Sequence, residues 1–188
     1  MIFMGDPKKQ KKKFESPRYP WRTDIIQNEL RIIGQYGLRN KRELWSHRTM
    51  LSKFRGIARS LLGMSGERRS VLEKQLLTKL RRLGILPRNA VLDNVLDMSV
   101  EDILERRLQT LVFRRGLTGS IYQAREFISH GHIAINKRRI SSPGYLVPTD
   151  EESELDYYSK SPFSKPEHPT RKMIETANVE GLRDEQEE

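Results

Sequence analysis

The sequence predicts an α+β fold in which an all-helical N-terminal domain is followed by a module of two helices and a small antiparallel sheet. Leucines recur at helical spacing through the first hundred residues, apolar and polar residues alternate after residue 131, and glycines separate most of these segments. An extended basic arm and an irregular C-terminal tail flank the two parts. The predicted boundaries are 1–22 for the arm, 23–98 for the helical domain, 99–160 for the module and 161–188 for the tail.

The helical domain is predicted to hold three main helices, at residues 24–36, 40–63 and 69–83. Asn40 and Glu43 stand three apart at the start of the second helix, which is typical of a capping box. A connector that can form a short helical turn then leads to the module. The predicted core face of the second helix, with steps of seven, three, four and three residues, consists of Leu44, Leu51, Phe54, Ala58 and Leu61.

The module is predicted to begin with one helix that runs from Ser99 to near Gly116. Ser99 and Asp102 form a second capping-box pattern at its start. Thr118 or Ser120 can cap the next helix, which continues to the following glycine. Both helices carry apolar residues on one face and basic residues elsewhere, so each is expected to pack against the sheet or its partner helix.

The sheet of the module is predicted from short alternating segments. Residues 132–136 alternate as a strand, residues 136–139 form a polar turn, and a second strand follows near Ile140. Residues 145–147 and 155–158 predict two further short strands on either side of an acidic loop. Prolines after residue 160 argue against regular structure in the tail.

Charge is distributed unevenly along the chain. The formal net charge is +10, but residues 1–140 hold 30 Lys and Arg against 13 Asp and Glu, whereas residues 141–188 hold 5 against 12. Such an excess of like charge is relieved when a polyanion binds, and phosphate neutralisation also releases condensed counterions. A merely soluble basic surface is the simpler explanation, but the asymmetry along the chain favours a nucleic-acid partner.

The composition excludes several other classes. The chain has no cysteine, which removes disulfides and thiolate metal sites, and no stretch approaches the roughly 20 apolar residues of a membrane span. No phosphate-binding Walker loop, nucleophile elbow or H-E-x-x-H pattern is present, so neither catalysis nor a cofactor is predicted. A soluble protein inside the cell is expected.

The candidate RNA-binding residues fall into three groups. The arm contributes a lysine cluster among aromatic rings, which can sit on phosphates while the rings stack on bases. In the module, Arg107 and Arg114 are two turns apart and are expected to share one face. The full set is Lys8, Lys9, Lys11, Lys12 and Lys13 in the arm, Arg48, Arg55 and Arg59 in the helical domain, and Arg106, Arg107, Arg114, Arg115, Arg125, His130, His132, Asn136, Lys137, Arg138 and Arg139 in the module.

His130 and His132 stand one residue apart, an arrangement that can bind zinc. The other two histidines are distant in sequence and cysteine is absent, so a tetrahedral site would lack ligands. We therefore predict no metal. The expected role of these rings is to cap the helix end or to reach a phosphate.

Several segments of the chain resemble a known family. Residues 105–110, 115–117, 123–125 and 128–133, together with Asn136, look like the RNA-binding module of ribosomal small-subunit protein four. Residues 4–8, 41–45 and 161–173 look like the archaeal and eukaryotic branch of that family, so the resemblance covers nearly the whole chain. The module alone would not identify the family, because it also occurs in pseudouridine synthases, a tyrosyl-tRNA synthetase and small heat-shock RNA binders.

The resemblance implies a structural protein of the ribosome in the cytoplasm. Family members bind small-subunit ribosomal RNA directly and nucleate assembly of the subunit body at a multi-helix junction. They lie beside ribosomal small-subunit protein five, near the path by which messenger RNA enters, and the pair influences decoding accuracy. These properties are expectations for this chain.

Two other functions stay open on the sequence alone. An RNA-modifying enzyme can use the same module for targeting, but it needs a separate catalytic domain, and the helical N-terminal part shows no evident catalytic acid. A free RNA chaperone or translational repressor is the second alternative, and its sedimentation behaviour would distinguish it from a subunit component.

Overall fold

Helices dominate residues 12–165 and 167–174, which are the residues described by the structure, a computed structural model. The basic arm is therefore seen only from Lys12 onward, and Lys8, Lys9 and Lys11 lie outside the described residues. In chain order the elements are α1 Thr23–Gln35, α2 Lys41–Leu62, α3 Glu67–Arg82, α4 Leu92–Asp97, α5 Val100–Glu105, α6 Leu108–Arg114, α7 Ile121–Ser129, β1 Ile133–Ile135, β2 Arg138–Arg139, α8 Thr149–Glu152, β3 Leu155–Tyr157 and the 3₁₀ turn η1 Pro162–Ser164. No helix in this part of the chain is long and apolar enough to cross a membrane.

The helical half is built around the leucine face of α2, which confirms the core predicted for that helix. Its five predicted residues are all buried, and Leu44 and Ala58 are fully inaccessible to solvent. Leucines of α3 and residues of α4 complete this core. The connector after α3 does contain a helical turn, α4, which places Leu92 and Val95 in the same core.

Helix caps follow the sequence, with one exception. Ser99 and Asp102 form the predicted capping box, in which each side chain bonds the other residue's backbone amide. Ser120, not Thr118, caps α7, because the Thr118 side chain is buried. At α2 only half of the predicted box forms: the Asn40 side chain accepts from the Glu43 amide at 3.1 Å, while the Glu43 carboxylate binds arginines of the module.

The prediction of one continuous helix from Ser99 to Gly116 is wrong. The chain forms two short helices, α5 and α6, and Arg107 between them has extended backbone angles of −72° and 142°. The Leu108 amide donates to the Tyr145 carbonyl at 2.8 Å, and the Val147 amide donates to the Arg106 carbonyl at 3.0 Å. Residues 145–147 therefore bridge the break between the helices and are not a strand of the sheet.

The sheet has the order β2-β1-β3, with both pairs antiparallel. Asn136 and Lys137 form the two-residue turn between β1 and β2, with φ values of 52° and 62°. Positive φ at both positions is the mark of a type I′ turn, whose twist suits a tight hairpin. Strand β2 thus lies at Arg138–Arg139, just before the predicted position at Ile140.

The module has its own core, and part of the tail belongs to it. Residues of α6, α7, β1 and β3 pack together, and Ile174 of the tail is buried among them. The Phe163 ring in η1 stacks on Phe127 of α7 with ring centroids 4.4 Å apart. The tail up to residue 174 therefore packs against the module, although its prolines predicted irregular structure.

Apolar contacts join the helical half to the module. A third buried cluster contains Tyr36, Leu38 and Leu44 of the helical half together with Leu104 of α5. Ile103, next to it, packs into the core of the helical half. Helix α5 thus lies after residue 98, the predicted end of the helical domain, but it packs with that domain.

Candidate nucleic-acid interface

A partly buried ion cluster lies between α2 and the module. The Arg107 Nη2 atom donates to Glu43 Oε2 at 2.9 Å, and the Arg125 Nη2 atom donates to Glu43 Oε1 at 2.6 Å. The Arg107 side chain is only 2% exposed and the other two are about a quarter exposed. We call Glu43, Arg107 and Arg125 the seam cluster, because it connects the two halves of the protein.

Gln109 reinforces the seam cluster through its side-chain amide. Its Nε2 atom donates to the Gly37 carbonyl at 2.9 Å and to the Ile121 carbonyl at 3.0 Å. Gly37 has a φ of 56°, and a Cβ atom there would lie 2.7 Å from Gln109 Nε2. Only glycine fits this close approach, so the loop after α1 is held against the start of α7.

Burial and neighbouring charges set the protonation states around the seam cluster. Burial raises the pKa of Glu43, but hydrogen bonds from Arg125 and Arg107 outweigh it and leave the pKa below its usual value. Burial, followed by the charge of Arg107, lowers the pKa of His47 to about 4. Burial also lowers the pKa of Arg107 against the opposing effect of Glu43. Near neutral pH the carboxylate of the seam cluster is therefore ionised, and the neighbouring His47 imidazole is neutral.

The expectation that Arg107 and Arg114 share an exposed face is wrong. The helix break turns Arg107 into the interior, whereas the Arg114 side chain is 60% exposed and binds Glu105. Arg106 is also directed inward, where it donates to Glu152 at 2.8 Å and to the Val147 carbonyl at 3.2 Å. Arg115 is exposed but donates to the Leu155 carbonyl at 3.3 Å. The four arginines thus do not form one basic surface.

The arginines predicted on α2 also differ from one another. Arg48 donates to the fully buried Glu29 carboxylate at 2.8 Å, and Lys41 and the Trp45 indole share that partner. Arg55 bonds the Met98 carbonyl, while Arg59 is exposed. The burial of Glu29 was not predicted. The apolar residues around it indicate a helix face, but their spacing does not show that a carboxylate among them is buried beside basic side chains.

The described end of the basic arm lies along α2. The Lys12 ammonium lies 4.7 Å from the centre of the Phe14 ring, and the Phe14 ring centre is 5.9 Å from that of Trp45. Lys13 is exposed. The arm is thus anchored through its aromatic ring, which leaves Lys13 open to solvent.

The hairpin presents a dense set of exposed cations. Lys137, Arg138 and Arg139 are all exposed, and within the described ranges none of them forms an ion pair with a carboxylate. The Arg139 side chain crosses Gly131, where an added Cβ would lie 2.5 Å from Arg139 Cδ. Gly131 separates His130 from His132 in sequence, so the Arg139 side chain passes close to the junction that holds both histidines.

The two histidines differ in their surroundings. The His132 Nδ1 atom lies 3.0 Å from Ser161 Oγ, and its ring packs edge-on against Phe163. Burial, followed by the charge of His130, lowers the pKa of His132. His130 is exposed. Across residues 12–165 and 167–174, no group of three or more His, Cys, Asp or Glu side chains is arranged to hold a metal ion.

Comparison with known proteins identifies the module first. Residues 106–153 match the S4 domain, which is an RNA-binding domain. This span contains the helix break, α6, α7, the hairpin and α8. The fold and the match together define a protein that carries an S4 RNA-binding domain behind a helical N-terminal part.

Similarity extends over most of the chain to small ribosomal subunit protein uS4 of archaea. The protein of that name from Hyperthermus butylicus is 54% identical over 162 residues, covering 86% of this chain and 92% of the relative. Those from Saccharolobus solfataricus and Sulfurisphaera tokodaii are 51% and 53% identical, covering 85% and 88% of this chain and 89% and 93% of the relatives. The chain belongs to the small ribosomal subunit protein uS4 family, which confirms the resemblance drawn from its sequence.

Proposed function

We propose that this protein is a structural component of the small ribosomal subunit that binds ribosomal RNA directly, and that it resides in cytoplasmic ribosomes. Its relatives carry the name of a small-subunit protein, and its module matches an RNA-binding domain. The role is scaffolding, in which the protein holds RNA helices at fixed positions and performs no chemical step.

The hairpin is the observation that carries this proposal. Lys137, Arg138 and Arg139 are exposed beside His130, while the arginines of the seam cluster are occupied by Glu43. Arginine binds phosphate with its planar fork and needs no particular base. A rigid hairpin of this kind suits a folded RNA, which is recognised by its shape, phosphates and 2′-hydroxyls.

The proposed RNA interface differs from the set predicted from the sequence. It contains Lys12 and Lys13 of the arm, Arg59 of α2, and the hairpin with its neighbouring histidine, and it extends to the arm lysines outside the described residues. Asn136, Arg114 and Arg115 remain candidates because they are exposed. Arg107 is excluded because its side chain is buried, and Arg48, Arg55, Arg106 and Arg125 are assigned mainly structural roles because they hold partners within the protein.

We further propose the finer roles that family membership suggests. The protein nucleates assembly of the subunit body, contacts ribosomal small-subunit protein five and other small-subunit proteins, lies near messenger RNA where it enters, and contributes to decoding accuracy. The seam cluster supports the proposed role in assembly. Because it joins the two halves of the protein firmly, RNA helices bound to the two halves would be held at a fixed angle.

The test compares binding of two double variants to a transcript of small-subunit ribosomal RNA. Arg138→Ala with Arg139→Ala removes two hairpin cations, whereas Arg68→Ala with Arg88→Ala removes two exposed cations from the helical half. We expect the hairpin variant to bind more weakly and to show a salt slope reduced by up to about two. The control should keep the slope of the unaltered protein.

Three outcomes would count against the proposal. Equal losses in both variants would show that only overall charge matters. No preference of the unaltered protein for the ribosomal transcript over an unrelated polyanion, with no co-sedimentation in subunit particles, would favour a free RNA chaperone. Modified nucleotides in the transcript after incubation would favour an enzyme.

A further inference from the structure

A cleft of about 430 Å³ lies where the loop after α1 meets α7. This volume is within the roughly 300–1,000 Å³ of small-ligand pockets. Its walls contain Arg39 from the loop, Tyr122, Glu126 and Ser129 from α7, and His130, which follows α7. The cleft therefore draws on both halves of the protein and ends at His130.

The floor of the cleft is rigid. Gly37 and Arg125 both contribute to it, and the Arg125 guanidinium is fixed by Glu43 at 2.6 Å. The Gly37 carbonyl accepts from Gln109 at 2.9 Å. Because these groups are already bonded to each other, the floor offers a shaped surface and little unpaired charge.

The walls offer a combination of groups suited to a nucleobase. Tyr122 is 57% exposed, so its ring is accessible to a stacking partner. Arg39 and His130 are exposed and can reach a phosphate on either side. The Glu126 carboxylate forms no ion pair within the described ranges, so it remains available as an acceptor.

A carboxylate at this position restricts the chemistry of the occupant. It would repel a phosphate placed directly against it, but it accepts hydrogen bonds from the amino group of a base. Uracil has no amino group, and its single N3–H donor lies between two carbonyl oxygens that the carboxylate repels, so uracil fits less well. Unpaired bases of folded RNA are commonly displaced from the helix and stacked on aromatic rings.

We infer that this cleft binds a single unpaired nucleobase that carries an amino group, stacked on Tyr122 and bonded to Glu126, with its backbone near Arg39. The inference rests on the proposed binding of ribosomal RNA and names a contact that recognises a base rather than the backbone. A base contact of this kind would fix the position of the protein along the RNA sequence. The hairpin cations alone cannot do so, because contacts to phosphate carry no sequence information.

The experiment uses the full chain and the same ribosomal RNA transcript. Tyr122→Ala should weaken binding at least about five-fold, because it removes a base–aromatic stack, whereas Tyr122→Phe should stay within about two-fold. The matched control is Phe113→Ala, which removes an exposed ring of α6 that does not line the cleft. Thermal melts of the variants check that the fold is retained.

Chemical probing of the RNA gives a second readout. The unaltered protein should protect the base-pairing edge of one unpaired adenine, cytosine or guanine, and both Tyr122→Ala and Glu126→Leu should remove that protection. Replacement of the protected nucleotide by uridine should weaken binding of the unaltered protein but not of Tyr122→Ala.

The outcomes separate this inference from the proposed function. If the unaltered protein shows no preference for the ribosomal transcript, the proposed function fails. If it binds selectively while Tyr122→Ala binds equally well and protects the same nucleotides, the function stands and the cleft is not a base site. Equal losses for Phe113→Ala and Tyr122→Ala would likewise overturn the cleft assignment.

Discussion

The carboxylate of Glu43 accepts a 2.6 Å hydrogen bond from the guanidinium of Arg125, although 82 residues separate them along the chain. Glu43 lies near the start of α2 and Arg125 in the middle of α7, so one bond connects the helical half to the module. The same carboxylate neutralises Arg107, whose side chain is nearly inaccessible. Since breaking such a pair leaves a buried charge, the contact is expected to be structurally decisive.

Replacement of Glu43 by glutamine should destabilise the protein. It removes the negative charge between two arginines, and we expect the free energy of unfolding to fall by about 2–3 kcal/mol, between the values for exposed and fully buried pairs. The control, Glu73→Gln, removes a longer pair of 3.8 Å with Arg69, one turn away on the same helix, and should cost less than about 0.5 kcal/mol. Urea unfolding measures both, and equal effects would show that the seam cluster adds no special stability.

Acid should weaken the fold in a window set by His47. Its folded pKa of about 4 lies below the ordinary value near 6.5, so between these pH values the unfolded chain binds a proton that the folded protein does not. Stability should therefore decline by roughly 2–3 kcal/mol as pH falls from about 6.5 to 4. Unfolding measured across this range should show a smaller decline for His47→Leu than for the unaltered protein, and an equal decline in both would contradict the assignment.

Glu43 should add to the acid sensitivity at still lower pH. Its folded pKa is depressed, so its contribution is complete above the pKa of the unfolded carboxyl and is lost as pH falls through the folded value. In Glu43→Gln this part of the pH dependence should be missing. A variant that keeps the same acid limb as the unaltered protein would contradict the assignment.

Replacement of Lys137 in the hairpin turn should raise the stability of the protein and weaken its binding to RNA. Lys137 has a φ of 62°, a region that costs residues other than glycine about 1–2 kcal/mol. Lys137→Gly should raise the free energy of unfolding by about 0.5–1 kcal/mol while lowering the salt slope of RNA binding by about one. Lys137→Asn, which also tolerates this φ, should lose the same phosphate contact with a smaller gain in stability. A loss of stability in both variants would refute the strain argument.

A side chain at Gly131 should disturb the junction between α7 and the hairpin. Gly131 has a φ of 76°, and an added Cβ would collide with the Arg139 side chain, so Gly131→Ala should cost about 1 kcal/mol or more and weaken RNA binding. Gly34→Ala is the matched control, because Gly34 is helical with open space around it and alanine should stabilise α1 by up to about 1 kcal/mol. Thermal unfolding and a filter-binding assay would distinguish the two.

Local patterns predicted the helical half well, because they reflect local forces. The spacing of Leu44, Leu51 and Leu61 alone places them on the buried face of α2, and the structure confirms it. The Ser99 cap was likewise readable, since both partners lie within four residues. In such segments periodicity and capping favour the same conformation.

In the module the same reasoning failed, because the structure there depends on contacts between residues that are far apart in sequence. Nothing near Arg107 in sequence predicts a helix break, because the bonds that stabilise it come from Tyr145 and Val147. The burial of Arg107 depends on Glu43, which is 64 residues away. An arginine bound to phosphate and an arginine bound to a buried carboxylate look alike in a sequence, so composition predicted the RNA partner but could not assign each cation.

The bonds from Gln109 to Gly37 and Ile121 have a consequence for assembly on RNA. They tie the loop after α1 to the beginning of α7, so opening the molecule at that point would leave a peptide carbonyl and an amide without partners. The protein thus arrives with its geometry already set, and the entropy lost on association comes mainly from the polynucleotide. In the proposed assembly role, a preformed scaffold of this kind would favour one arrangement of a flexible RNA.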